Sequence, residues 1–151
     1  MDLGACAAFG FVGPRRPQKT VEPLVTTRIS SGSPFEKNYG YCRAVVDDHY
    51  VHISGTTGYD YETMAMPAEA AAQARNIFKT FANVLAQAGG ALDDVIRLRV
   101  FVVAAEHCEP VLRVQGEIFA DIRPAAAIYI VAGLLRPEML VEIEATARRG
   151  R

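Results

Sequence analysis

Residues 67–103, PAEAAAQARNIFKTFANVLAQAGGALDDVIRLRVFVV, change hydrophobic period midway, and that change decides the class of fold. Ala70, Ala74, Ile77, Phe78, Phe81, Val84, Leu85 and Ala88 recur at three- and four-residue intervals, the spacing of one face of an amphipathic helix. Pro67 suits a first helical turn, and Gly89-Gly90 supply the left-handed stop that a helix C-terminus favours. After Asp93-Asp94 the period falls to two: Ile96, Leu98 and Val100 alternate with Arg97, Arg99 and Phe101 before the run turns fully apolar, which predicts a central strand.

The same reading extends outward in both directions. Upstream, CRAVVDDHYVHISG holds two β-rich runs, Cys42–Val46 and Tyr50–Ser54, around Asp47-Asp48-His49, and so predicts a hairpin whose second strand ends near Gly55 and Gly58. Before it, Thr26–Ser31 is β-prone, and Gly32-Ser33-Pro34 reads as a loop. Downstream, Val111, Val114, Ile118 and Phe119 share one stripe of a helix over 106–121, ended by Ile122-Arg123-Pro124. Ala125–Leu134 and Leu140–Ala147 are two further β-rich runs, joined by a turn at Pro137. The order β-ββ-α-β-α-ββ predicts an α+β domain: a mixed sheet with hairpins at both ends and two helices on one face. The other face would be bare, and a sheet this apolar needs cover on both faces, which predicts an oligomer.

Composition narrows the function classes. A chain of 151 residues fits one domain, and its 50% hydrophobic and 22% charged residues are ordinary for a globular protein. Its longest apolar runs are too short to cross a bilayer. A net charge of −1 gives no broad electrostatic grip on a phosphate backbone, so small ligands or protein partners are expected rather than nucleic acid or membrane. Cys6, Cys42 and Cys108 have no CxxC or Cys/His metal spacing and read as free thiols of a reducing, cytoplasmic compartment. His49, His52 and His107 lack HxH or HxxxH spacing, so no metal site is expected. Residues 1–24 start mildly apolar without a preceding basic segment and read as a loose leader; the folded domain is expected over 25–151.

Residues 122–147, IRPAAAIYIVAGLLRPEMLVEIEATA, resemble the signature of the RidA (YjgF/YER057c/UK114) family, and SGSPFEKNYGYCRAV, VHISGTTG and DDVIRLRVFVV add matches upstream. The resemblance covers about residues 28–148. It implies a chorismate-mutase-like α+β fold and a homotrimer whose sheets form a central barrel, with small-molecule clefts between subunits. It also implies hydrolysis of reactive enamines and imines, a deaminase chemistry that needs no metal or cofactor. On this resemblance Tyr41 matches a cleft tyrosine and Gly55 the glycine whose N–H holds a ligand. Glu142 matches the acid that positions water, and Arg113 stands at a cleft position on the second helix. The family's Pro-Ala-Arg is here Pro124-Ala125-Ala126, so the guanidinium that pairs bidentately with a carboxylate is missing.

Each of these residues also has a plainer reading. Glu142 suits a solvated strand face, Tyr41 a subunit edge, Gly55 a strand end, and Arg97, Arg99 and Arg113 solvated or interface charges. Glu144, two residues from Glu142, shares its strand face and is a candidate salt-bridge partner. Two functions stay open: a hydrolase of a small imine, enamine or related metabolite, and a non-catalytic trimer that binds a metabolite or partner. A ribonuclease, a label that some family members carry, finds neither a basic tract nor an evident histidine acid–base pair here.

Overall fold

The structure is a computed structural model that describes residues 26–149; the expected leader 1–24 and Cys6 lie outside the described residues. Six strands form one sheet: β1 (Thr27–Ile29), β2 (Ala44–Val46), β3 (Tyr50–Thr57), β4 (Val95–Val102), β5 (Ala125–Ile130) and β6 (Val141–Arg148). Their spatial order is β1-β2-β3-β6-β4-β5, and every neighbouring pair is antiparallel except β4 and β5. The expected mixed sheet of an α+β domain is thus present. Its helices are α1 (Pro34–Tyr39), α2 (Ala70–Gln87) and α3 (Cys108–Phe119).

The periodicity of α2 translates directly into packing. Ala70, Ala74, Ile77, Phe78, Phe81, Val84 and Leu85 are buried against the sheet, and Phe78 meets Phe81 and, on α3, Phe119 edge-on at 6.0 and 5.2 Å. Gln73 interrupts this apolar stripe yet is fully buried, because its amide is satisfied on both sides. Nε2 donates to the carbonyls of Pro67 and Glu138, both at 2.8 Å, and Oε1 accepts from Leu140 N–H at 2.9 Å. The long connection from β5 to β6 is thereby clamped onto the helix.

Three sequence expectations need correction. The last two β runs do not form a hairpin: α3 carries the chain from β4 to the parallel edge strand β5, and the connection after β5 returns β6 to the middle of the sheet, between β3 and β4. The alternation of Val141, Ile143, Ala145 and Ala147, all buried, with Glu142, Glu144 and Thr146 is therefore that of a central strand covered on one face. Second, Gly32-Ser33-Pro34 is a helix start rather than a plain loop. Ser33 Oγ accepts from Phe35 N–H, Pro34 opens α1, and Gly40 closes it with a left-handed φ of 72°. Third, the face without helices is largely polar. It carries His52, Arg97, Arg99, Glu144 and Thr146, with Arg99 bonded to Glu144 at 2.9 Å as the sequence allowed. Apolar exposure is largest toward β5 and the connection that follows it, where Phe101 stacks on Tyr129 at 5.6 Å and Ile130 and Leu135 stand open.

Candidate functional site

Local geometry at one end of the sheet gathers the site. Between Ile53, paired with Ala145, and Thr56, paired with Ile143, two residues of β3 oppose one of β6. This bulge lifts Ser54 and Gly55 out of the regular ladder. Thr56 Oγ1 donates to Ser54 O and Ser54 Oγ to Cys42 O, each at 2.8 Å, which fixes the distorted segment. On the neighbouring strand Glu142 stands over Gly55 so closely that a Cβ at position 55 would occupy the place of Glu142 Oε1. The observed position of the carboxylate thus depends on the absence of a side chain at 55, because an added Cβ would push the end of Glu142 aside.

Glu142 and Gly55 belong to one cleft of about 440 Å³. Phe35, Tyr39, Tyr41 and Tyr61 supply its aromatic walls, and Leu135 and Met139 close it from the β5–β6 connection. In these surroundings burial pushes the Glu142 carboxyl above its ordinary range, Glu144 pushes the same way, and Arg43 opposes them. Burial likewise raises the Tyr61 phenol, keeping it protonated at neutral pH.

Behind the cleft lies a buried charge cluster that the sequence reading did not single out. Arg43 is fully buried, and Glu36 is 5% exposed. Arg43 Nε lies 3.3 Å from Glu36 Oε1; Nη1 donates to Gly55 O at 2.7 Å and Thr56 Oγ1 at 2.8 Å, and Nη2 donates to the Tyr41 hydroxyl at 3.1 Å. The guanidinium carbon also sits 5.4 Å from the centre of the Tyr41 ring and 5.1 Å from that of Tyr61. Glu36 accepts from Ser30 Oγ, Ser31 N and Ser31 Oγ. Burial alone would raise the Glu36 carboxyl, but these hydrogen bonds and the Arg43 charge together hold it below the usual range. A buried ion pair is tolerable only when its polar atoms find partners, and here all three guanidinium nitrogens and both Glu36 oxygens are engaged. No local signal marks this pair: a strand arginine and a helix glutamate look like surface charges until the chain brings them together.

Tyr41, Gly55 and Glu142 are brought together as lining of one cleft. Arg113 is not brought to it within one chain. It lies exposed on α3, where Nη2 bonds Glu109 at 3.1 Å, and the groove that it lines shares no residue with the cleft. Ala126 does not line the cleft within one chain either; it lies on β5 in register with Leu98 of β4. Among the described residues no group of three or more His, Cys, Asp or Glu is placed to hold a metal, and no helix is long and apolar enough to cross a membrane.

Comparison with known proteins agrees with this architecture. Rv2704 of Mycobacterium tuberculosis, a member of the YjgF/YER057c/UK114 family, is 38% identical to this chain. The match covers 82% of this chain and 99% of that one, with a TM-score of 0.75. A putative endoribonuclease, TM0215 of Thermotoga maritima, is 26% identical over 87% of this chain and all of its own, with a TM-score of 0.70. An uncharacterized protein of Streptomyces coelicolor, SCO2049, is 31% identical over 123 residues, 82% of this chain and 92% of that protein. Residues 33–149 match the family model described as endoribonuclease L-PSP. With that match over most of its length, and with relatives sharing both its sequence and its sheet, the chain belongs to the RidA (YjgF/YER057c/UK114) family.

Proposed function

We propose that the protein hydrolyses the C=N bond of a small imine or enamine in this cleft, and that it works as a homotrimer in which a neighbouring subunit completes each cleft. The observation that carries the reading is the Glu142 carboxylate, held against Gly55 in a partly desolvated, aromatic-walled cleft and favoured toward protonation by burial. Such a group suits water activation, because a base with a raised pKa takes a proton more readily near neutral pH. As the water oxygen bonds to the imine carbon, Glu142 takes one proton from the water and passes it to the imine nitrogen, which gives a carbinolamine. Glu142 then takes the carbinolamine hydroxyl proton and delivers it to the departing nitrogen as the C–N bond breaks, and the products are a carbonyl compound and ammonia. Tyr41 and Gly55 hold the reacting group. Support for the trimer is the unfilled demand for apolar cover at Tyr129, Ile130 and Leu135, which are 47%, 59% and 67% exposed.

A second reading, a non-catalytic trimer that binds a metabolite or a partner, is favoured by one observation: Ala126 stands where the deaminase branch has arginine, and Arg113 is engaged with Glu109. The test is ammonia release from 2-iminobutyrate, 2-iminopropionate and imines without a carboxylate, each generated in situ, for this protein, its Ala126→Arg variant and a blank. Hydrolysis of the carboxylate-free imines by the native chain supports the first reading. Binding without turnover of any of them supports the second. The nuclease activity named for some relatives has little electrostatic support in a chain of net charge −1.

A further inference from the structure

Tyr41 and Glu142 face the same cleft, and the direction of the Tyr41 hydroxyl follows from chemistry alone. A guanidinium has five N–H donors and no acceptor, so the 3.1 Å contact between Arg43 Nη2 and the Tyr41 oxygen places Tyr41 as acceptor. A phenol has one proton, and that proton then points away from Arg43. The cation is also locked. It is fully buried, and Nε and Nη1 are engaged by Glu36, Ser31, Gly55 O and Thr56 Oγ1. The Tyr41 side chain lines the cleft and is 37% exposed, and since Arg43 does not consume its proton, that proton is free for a ligand in the cleft.

We propose that Arg43 is the positioning residue that gives this cleft its hydrogen-bonding polarity: by donating to Tyr41, it makes Tyr41 a donor toward the ligand, opposite Glu142 as acceptor. The inference rests on the reading of the cleft as a ligand site, and it specifies the ligand further. The group held by Tyr41 must offer a lone pair, as a neutral imine nitrogen or a carbonyl oxygen does and an iminium N–H does not. In the hydrolysis described above, Tyr41 polarises the C=N bond while Glu142 addresses the water, and Arg43 acts through its hydrogen bonds to Tyr41 and the Gly55 carbonyl and through its charge beside Glu142.

The test is the Raman Fermi doublet of the tyrosine ring, whose intensity ratio is high when the hydroxyl oxygen accepts a strong hydrogen bond and low when it only donates. Subtracting the spectrum of Tyr41→Phe from that of the native protein isolates Tyr41 from the other tyrosines. An acceptor-type ratio is expected, and it should fall in the Arg43→Met/Glu36→Gln protein, which removes the guanidinium without orphaning its counterion. A donor-type ratio in the native protein overturns the proposal without any change at position 43, so misfolding of the double variant leaves it testable. An unchanged ratio in a folded double variant also overturns it. If imines are turned over, Arg43→Met/Glu36→Gln added to Tyr41→Phe should cost less than about tenfold further, because both changes remove one effect. Absence of turnover in every variant defeats the proposed hydrolysis, while the Raman result still decides the role of Arg43.

Discussion

Two glycines a short distance apart on the same segment should respond oppositely to one added methyl group. In Gly55→Ala the new Cβ takes the place of Glu142 Oε1, the end of a side chain that can swing aside. In Gly58→Ala it comes within 2.5 Å of Gln73 Cα, the backbone of α2, which cannot move without disturbing the clamp from Gln73 to Pro67, Glu138 and Leu140. Overpacking of this kind costs about 1–3 kcal/mol, so Gly58→Ala should lower the Tm by about 4–12 °C for a domain of this size. Gly55→Ala should cost stability at or below the low end of that range, yet displace the carboxylate by about 1 Å or more, a misplacement worth about 100-fold in turnover. Calorimetry and initial rates of ammonia release separate the two, and the Glu142 carboxyl carbon shift in NMR reports its movement independently. Gly55→Ala with native rates and an unmoved Glu142 signal would refute the steric argument, as would a Gly58→Ala protein as stable as the native one.

Removing Arg43 alone should be far more damaging than removing the ion pair. Arg43→Met strands a buried Glu36 and should cost about 3–5 kcal/mol in urea unfolding, with much of it recovered in Arg43→Met/Glu36→Gln. The two glutamates should also tilt the pH dependence of stability in opposite directions. The Glu36 pKa is lowered by folding, so its contribution is present above the unfolded value and is lost as pH falls through the folded one. The Glu142 pKa is raised, so its contribution is present below the unfolded value and is lost as pH rises through the folded one. Glu142→Gln should therefore raise the Tm at about pH 8 and change it little at about pH 4, a stability gain at the expense of chemistry. Light scattering should give a mass three times that of the 16.4 kDa chain; a monomer at micromolar concentration contradicts the completed cleft.

What the sequence made legible was whatever a single period could encode. The stripe of α2, the alternation of β4 and β6, and the β2–β3 hairpin all follow from spacing, with small shifts at their ends. A bulge between Val95 and Arg97 accounts for one irregularity, the burial of both Val95 and Leu98. Strand order was less legible, because a β run carries no record of its partner: β5 and β6 are consecutive in sequence yet separated by β4. The start of α1 was written in Ser33, Pro34 and Gly40, a cap, a first-turn proline and a left-handed stop, but the helix is too short to show a period. At the site, Tyr41, Gly55 and Glu142 were reached through resemblance to a family. The Arg43–Glu36 pair was not, since only the folded chain shows that its charges are buried and shared with Tyr41 and Gly55.

The account turns on Glu142 as the group that activates water. Its most direct test is the rate of ammonia release from an in situ imine that the native protein hydrolyses, measured across pH for native and Glu142→Gln protein at equal folded concentration. The account predicts a loss of at least about 100-fold in the variant and an alkaline-side requirement in the native profile set by a carboxyl above its ordinary range. Equal rates for the two proteins, or native protein no faster than the blank with every imine, would contradict it.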